Sequence, residues 1–127
     1  MKIWTNGCFD VLHIGHIEMF KYARSKGESL TVGIDSDERV KRLKGKGRPI
    51  NNEEDRANFL RSIKYVDEVF IFDDESHMVT ILQSQGIELI VVGEEYKGRK
   101  VTGSSVCEVE YFPRIGEYST TNIISSK

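Results

Sequence analysis

The 127-residue sequence predicts an α/β fold: a doubly wound, five-stranded parallel sheet built as a single domain over residues 1–127. Three observations predict it. Short apolar runs alternate with stretches of helical period along the chain, the runs end in polar or glycine-bearing segments, and the first run passes through a glycine-containing turn directly into a helix.

Taken in order, Lys2 to Thr5 reads as a short buried strand, and the spacing of Ile17, Met19, Phe20 and Ala23 reads as a helix packed back on it. Leu30 to Ile34 is a second strand, Glu53 to Ile63 a helix, Val69 to Phe72 a third strand, Met78 to Gln83 a helix and Leu89 to Val92 a fourth strand. A fifth strand near Glu108 to Phe112 and a helix from Thr120 complete the pattern. The segments after the strands are Asn6-Gly7, Asp35-Ser36-Asp37, Asp73-Asp74, Gly93-Glu94-Glu95 and Arg114-Ile115-Gly116. In a doubly wound sheet such C-terminal strand ends hold the ligand, at the point where the strand order reverses.

The most informative of them is Thr5-Asn6-Gly7-Cys8-Phe9-Asp10-Val11-Leu12-His13-Ile14-Gly15-His16. Two histidines three residues apart stand at a helix entrance, where backbone N–H groups and the positive dipole end attract anions and imidazole N–H groups add directed bonds to phosphate oxygens. Gly15 between them lets a ligand approach the backbone. A histidine here can also act simply as a helix cap. Metal ligation is a further use of a histidine pair, but His77 is the one other histidine and Cys8 and Cys107 lie far apart, so no zinc-type cluster is visible and no metal-ligating set is expected.

Lys41-Arg42-Leu43-Lys44-Gly45-Lys46-Gly47-Arg48-Pro49 is the second strong signal. Its cations repel one another unless they are solvated in a mobile loop or face an anion such as a triphosphate, and its glycines permit closure over a substrate. Arg56 lies on the following helix, where it either forms a surface ion pair with Glu53 or Asp55 or takes a phosphate-binding or structural role at the site's edge.

The first motif, Thr-Asn-Gly-Cys-Phe-Asp-x-Leu-His-x-Gly-His, resembles that of the HxGH nucleotidyltransferases, the superfamily of cytidylyltransferases and several adenylyltransferases. Ser119-Thr120-Thr121-Asn122-Ile123-Ile124 resembles the same superfamily's last motif, a Ser/Thr-rich turn that binds nucleotide phosphates. The resemblance covers essentially the whole chain and implies a Rossmann-like nucleotidyltransferase fold. It implies His13, His16 and Lys44 as catalytic residues. Nucleotide contacts are implied for Thr5, Asn6, Gly7, Cys8, Phe9, Gly15, Lys46, Gly93, Glu95, Tyr96, Arg114, Ser119, Thr120 and Thr121, and acceptor contacts for Asp10, Asp35, Arg48 and Arg56, with Asp10, the motif acid nearest the site, expected to order the turn and not to hold metal. Glu95 stands where the superfamily carries an aspartate, and Tyr96 either stacks at the nucleotide or packs at the sheet edge.

Within the superfamily, Thr-Asn-Gly, Lys-Arg-Leu-Lys-Gly, Asn-x-x-Glu-x-Arg from Asn51 to Arg56, Gly103-Ser104 and Thr-Thr-Asn-Ile-Ile from Thr120 look like heptose phosphate adenylyltransferases. Tyr65-Val66-Asp67-Glu68-Val69, Cys107-Glu108-Val109 and Pro113-Arg114 resemble glycerol phosphate cytidylyltransferases instead. The expected reaction is transfer of a nucleoside monophosphate from ATP, or alternatively CTP, to a sugar or polyol phosphate, with Mg²⁺ accompanying the triphosphate. A nucleotide-binding module without catalysis is the alternative of another class.

Composition is compatible with this. A formal net charge of −2 does not favour a broad nucleic-acid-binding face, two cysteines are too few for a disulfide framework, and no long apolar run suggests a membrane span. The expectation is a soluble cytoplasmic enzyme, with homodimerisation implied by the resemblance and by the small core.

Overall fold

The computed structural model describes residues 1–113; the predicted final helix and the candidate residues Arg114 and Ser119 to Thr121 lie outside them. The strands are β1 (Lys2–Gly7), β2 (Ser29–Asp35), β3 (Glu68–Phe72), β4 (Leu89–Gly93) and β5 (Glu108–Phe112). The helices are α1 (Ile14–Ser25), α2 (Asp37–Lys44), α3 (Glu53–Arg61) and α4 (Glu75–Ser84), and a 3₁₀ turn spans Glu94–Tyr96. All pairings are parallel, in the order β3-β2-β1-β4-β5. Successive strands therefore run outward from β1 to β3 and then resume on the other side of β1, so the reversal lies between β1 and β4.

Two apolar layers cover the sheet. Phe20, Ala23, Ala57 and Leu60 from α1 and α3 pack with Ile3, Val32 and Val91 on one face, and Met78, Ile81 and Leu82 from α4 pack with Trp4, Phe72, Ile90 and Val92 on the other. This is the doubly wound arrangement that the alternating pattern predicts. Among the described residues no helix is long and apolar enough to cross a membrane.

One element differs from the sequence reading. The basic segment is not a loop throughout, because α2 extends to Lys44. Ser36 caps this helix by accepting from the Arg39 N–H at 3.2 Å, Asp37 and Glu38 occupy its first turn, and Lys41, Arg42 and Lys44 lie in its last. Opposite charges at the two ends of the helix dipole stabilise it although Val40 is its one buried residue. The hydrophobic period is too sparse to reveal such a helix; the caps were the signal. Gly45 then terminates it at φ 88°, a left-handed conformation open to glycine.

Gly33 in the middle of β2 is required by packing. An added Cβ would lie 2.2 Å from Cζ2 of the fully buried Trp4 indole. Gly33→Ala is expected to destabilise the protein by about 1–3 kcal/mol, as overpacking does in a closed core, readable as a lower urea midpoint; an unchanged midpoint would contradict this packing.

Candidate active site

β1 ends at Gly7, and the chain then turns through Phe9, whose φ of +50° is unusual for a bulky side chain and points to a conformation held by its surroundings. Its ring lies over Gly7, where an added Cβ would come within 3.1 Å of Cζ. It also meets Phe20 and the His16 ring edge-on, at centroid distances of 5.3 and 5.4 Å. Phe9 thus anchors the loop to α1 from below.

His13 is the N-cap of α1. Its Nδ1 accepts from the Gly15 N–H at 3.0 Å, and Nδ1 of His16 accepts from the His13 N–H at 3.1 Å, so the two histidines form a reciprocal capping box. The capping role and the site role are therefore compatible. An Nδ1 that accepts carries no proton, which leaves the proton of each neutral ring on Nε2 as a donor to a ligand. Burial, and secondarily the neighbouring His13, depress His16 to about 4, and burial also lowers His13. Both rings are neutral at physiological pH, stacked at a tilt of 32° with centroids 3.9 Å apart. One expectation is corrected here. The Gly15 and His16 N–H groups are already bonded, to the His13 ring and the His13 carbonyl, so these two backbone donors are not free as the sequence reading expects.

Asp10 and Arg56 hold the next layer. The buried Asp10 carboxylate accepts from the Ile50 and Asn51 N–H groups at 2.7 and 2.8 Å, while the Asn51 amide donates to the Asp10 carbonyl at 2.7 Å. Burial pushes the Asp10 carboxyl upward, but these backbone bonds, with Arg48 and Arg56 nearby, outweigh it and hold its pKa below the ordinary value. Arg48 Nε lies 3.4 Å from the same carboxylate, an ion pair without hydrogen-bond geometry.

Arg56 is completely buried. Its guanidinium donates to the carbonyls of Cys8 (3.0 Å), Asp35 (2.8 Å) and Asn51 (3.0 Å) and to the Asp37 carboxylate (2.8 Å). The loop after β1, the end of β2, the start of α2 and the segment before α3 thus converge on one side chain. Of the expected roles for Arg56, the structure shows the structural one: it is not a surface pair with Glu53 or Asp55, and its burial corrects the expectation of an acceptor contact. Asp10 orders the turn as expected, its carboxylate committed to the Ile50 and Asn51 N–H groups instead of an acceptor, and the Asp35 carboxylate is engaged by Arg39 Nε at 2.7 Å. The Asn-x-x-Glu-x-Arg pattern has a physical basis in the same place, since Asn51 clamps Asp10 and Arg56 joins the loops.

Lys44 and Lys46 are exposed, on the last turn of α2 and on the loop beyond it, and Arg48 is half-buried where that loop meets Asp10. Thr5 is buried in β1 with an Oγ1 that has no partner among the described residues, and Cys8 carries a half-buried free thiol. Gly15 is buried within the first turn of α1. On the other side of the reversal point, the Glu95 carboxylate folds back over Gly93 at the end of β4, within 2.4 Å of where a Cβ would stand. Tyr96 is exposed, with the Arg99 guanidinium 5.9 Å from its ring centre. The structure therefore groups His13, His16, Asp10, Arg48 and Arg56 around the β1 and β2 ends, and places Gly93, Glu95 and Tyr96 at the end of β4.

Pairing between β1 and β4 is registered only at Ile3↔Leu89 and Trp4↔Ile90, so Thr5 to Gly7 and Val91 to Gly93 stand beyond the ladder. The end of this ladder coincides with the reversal point, where a doubly wound sheet accepts its ligand. A separate hollow lined by Met1, Glu88, Ser105 and Glu108 lies at the opposite, N-terminal ends of the strands, remote from the histidines. Sequence reasoning gave no role to Trp4, and named Asp37 and Asn51 only within a strand-end segment and a motif; all three act through contacts within the protein.

A family model described as cytidylyltransferase-like matches residues 4–127. The chain is 43% identical over 124 residues to the bifunctional protein HldE of Campylobacter fetus, an alignment covering 97% of this chain and 27% of that protein. It is 44% identical over 123 residues to the bifunctional protein HldE of Campylobacter concisus, covering 96% of this chain and 26% of that one. The chain thus spans about a quarter of the length of these relatives. The solved structure of a lipopolysaccharide core biosynthesis protein from Thermoplasma volcanium shares the fold, with a TM-score of 0.74 at 22% identity over 91% of this chain and 98% of that one. With the family match running over nearly its whole length, and the two histidines set at the entrance of the helix that follows the first strand, the chain belongs to the cytidylyltransferase-like family.

Proposed function

We propose that the chain transfers a nucleoside monophosphate from a nucleoside triphosphate, ATP by preference, to a sugar phosphate, with release of pyrophosphate. The observation that carries this reading is the pair of neutral, backbone-locked histidines at the entrance of α1, whose Nε2–H groups are left to donate. An oxygen of the acceptor phosphate attacks the α-phosphorus, forming a new P–O bond. The bond from the α-phosphorus to the bridging oxygen breaks, and its electron pair leaves with pyrophosphate.

With a second pKa of about 6, a phosphate monoester is largely dianionic at neutral pH, and no side chain has to remove a proton from it. The protein's task is alignment and charge compensation. His13 and His16 donate to the phosphoryl oxygens, and the exposed Lys44, on the last turn of α2, and Lys46, on the glycine-bearing loop beyond it, close in on the triphosphate. Among the described residues no group of three or more His, Cys, Asp or Glu side chains is gathered to hold a metal. The Asp10 carboxylate is moreover committed to the Ile50 and Asn51 N–H groups. Mg²⁺ therefore enters this reading as the triphosphate's own companion, held chiefly by phosphate oxygens and water.

ATP is favoured by the motifs resembling heptose phosphate adenylyltransferases, three of which border the site. The opposing Tyr65 to Val69 stretch carries less weight. Its Asp67 accepts from the Leu30 N–H at 2.8 Å and pairs with Arg24, at the start of β2 and away from the strand ends that face the ligand. A homodimer in a cytoplasmic setting belongs to the same reading.

The test is pyrophosphate release with Mg²⁺, comparing ATP with CTP against heptose, glycerol and other sugar phosphates. Release with ATP and a sugar phosphate is the expected result. Release confined to CTP would transfer the chain to the cytidylyltransferase reading, and nucleotide binding without release from any acceptor would favour a non-catalytic module.

A further inference from the structure

Trp4 and Asn6 stand two residues apart on one face of β1, and the Trp4 indole N–H donates to Oδ1 of Asn6 at 3.0 Å. An indole nitrogen can only donate. The Asn6 amide is therefore oriented, with its oxygen toward Trp4 and its NH₂ group turned away from it. Gly33 makes the contact possible. It pairs with Asn6 across β1 and β2, and its missing side chain leaves the space that the indole ring fills to reach the level of Asn6. Asn6 itself is half-buried at the end of β1, beyond the last registered pair with β4.

We infer that Trp4 is a positioning residue that locks Asn6 as a hydrogen-bond donor, so that Asn6 recognises an acceptor atom of the nucleotide. This rests on the nucleotidyl-transfer reading above and deepens it. An unrestrained amide presents either its oxygen or its nitrogen at little cost, whereas one whose oxygen is held by a buried indole keeps its NH₂ group turned away from that indole. A ligand that brings another donor to this point leaves two N–H groups facing each other, and the unmatched polar groups weaken binding.

Trp4→Phe retains an aromatic ring over Gly33 and removes the N–H. In the folded variant, KM for ATP with Mg²⁺ is expected to rise about tenfold with kcat within about twofold, the effect of one directed hydrogen bond that no longer has its orientation. Asn6→Asp keeps an oxygen toward Trp4 but replaces the ligand-facing NH₂ by a second, negatively charged oxygen, and is expected to raise KM well beyond Asn6→Ala. The Asn6 pair carries the test alone where Trp4→Phe does not fold, since Asn6 is half-buried.

A folded Trp4→Phe with wild-type KM would overturn the inference, as would an Asn6→Asp variant that binds ATP as well as Asn6→Ala does. Competition by tripolyphosphate and by adenosine locates the acceptor: weakening in Asn6→Ala of the first alone assigns it to the phosphates and of the second alone to the nucleoside, while weakening of neither is contrary to the inference. Wild-type protein that binds neither ATP nor CTP would overturn the nucleotidyl reading together with this one; normal wild-type turnover with unaffected variants would overturn this one only.

Discussion

His16→Ala is expected to lower turnover by about 10²–10³-fold while leaving the protein folded, the loss typical of removing one preorganised donor from a developing oxyanion. The side chain has two separable tasks, because Nδ1 accepts from the His13 N–H and Nε2 is left for the ligand. His16→Asn separates them. Its short amide can still accept at the cap but has no group at the Nε2 position, so it should be about as inactive as Ala and more stable. Turnover of either variant within about threefold of wild type, far short of a lost oxyanion donor, would remove His16 from the chemistry.

The depressed His16 pKa adds a pH dependence. Unfolded, the ring takes up a proton near 6.5; folded, it does so only near about 4. Between those values the unfolded chain binds more protons, so stability rises with pH in that window. The contribution is complete above pH 6.5 and is lost as pH falls toward about 4. Urea unfolding at pH 7.5 and pH 5 should therefore show a lower midpoint in acid, and His16→Asn should narrow the difference.

Arg56→Ala should give the largest loss of stability of any single change near the site, about 3–5 kcal/mol, as when one partner of a buried ion pair is removed. Three carbonyls and the Asp37 carboxylate lose their shared donor at once. Arg56→Lys should restore little, because an ammonium cannot reproduce the planar fork that reaches four partners. An exposed pair with Glu53 or Asp55 would instead be worth about 1 kcal/mol or less, so a thermal or urea melt distinguishes the two arrangements directly. Variants that remain folded should also bind both substrates poorly, since Arg56 sets the loop after β1 against the segment that follows α2.

How much was legible in advance follows from the range of the interactions. Strand and helix positions were readable because each depends on side chains one to four residues apart, and the parallel order follows from their alternation. The His13 and His16 pair was readable for the same reason, since a capping box spans three residues of one helix entrance. Even α2 carried local signals, in Ser36, the acidic first turn and Gly45, although its single buried residue concealed its period.

The sequence by itself thus determined the doubly wound fold, the family and the place of the first motif. Tertiary structure alone decided which partners Asp10, Arg56 and Trp4 meet. Asp10 meets Asn51 across 41 positions, Arg56 meets Cys8 across 48, and Trp4 occupies the space over Gly33 from a neighbouring strand. A charge or an indole shows the same letter whether it faces water, a substrate or the protein's own backbone. Which partner it meets is set only when folding has brought distant segments together and removed the water between them.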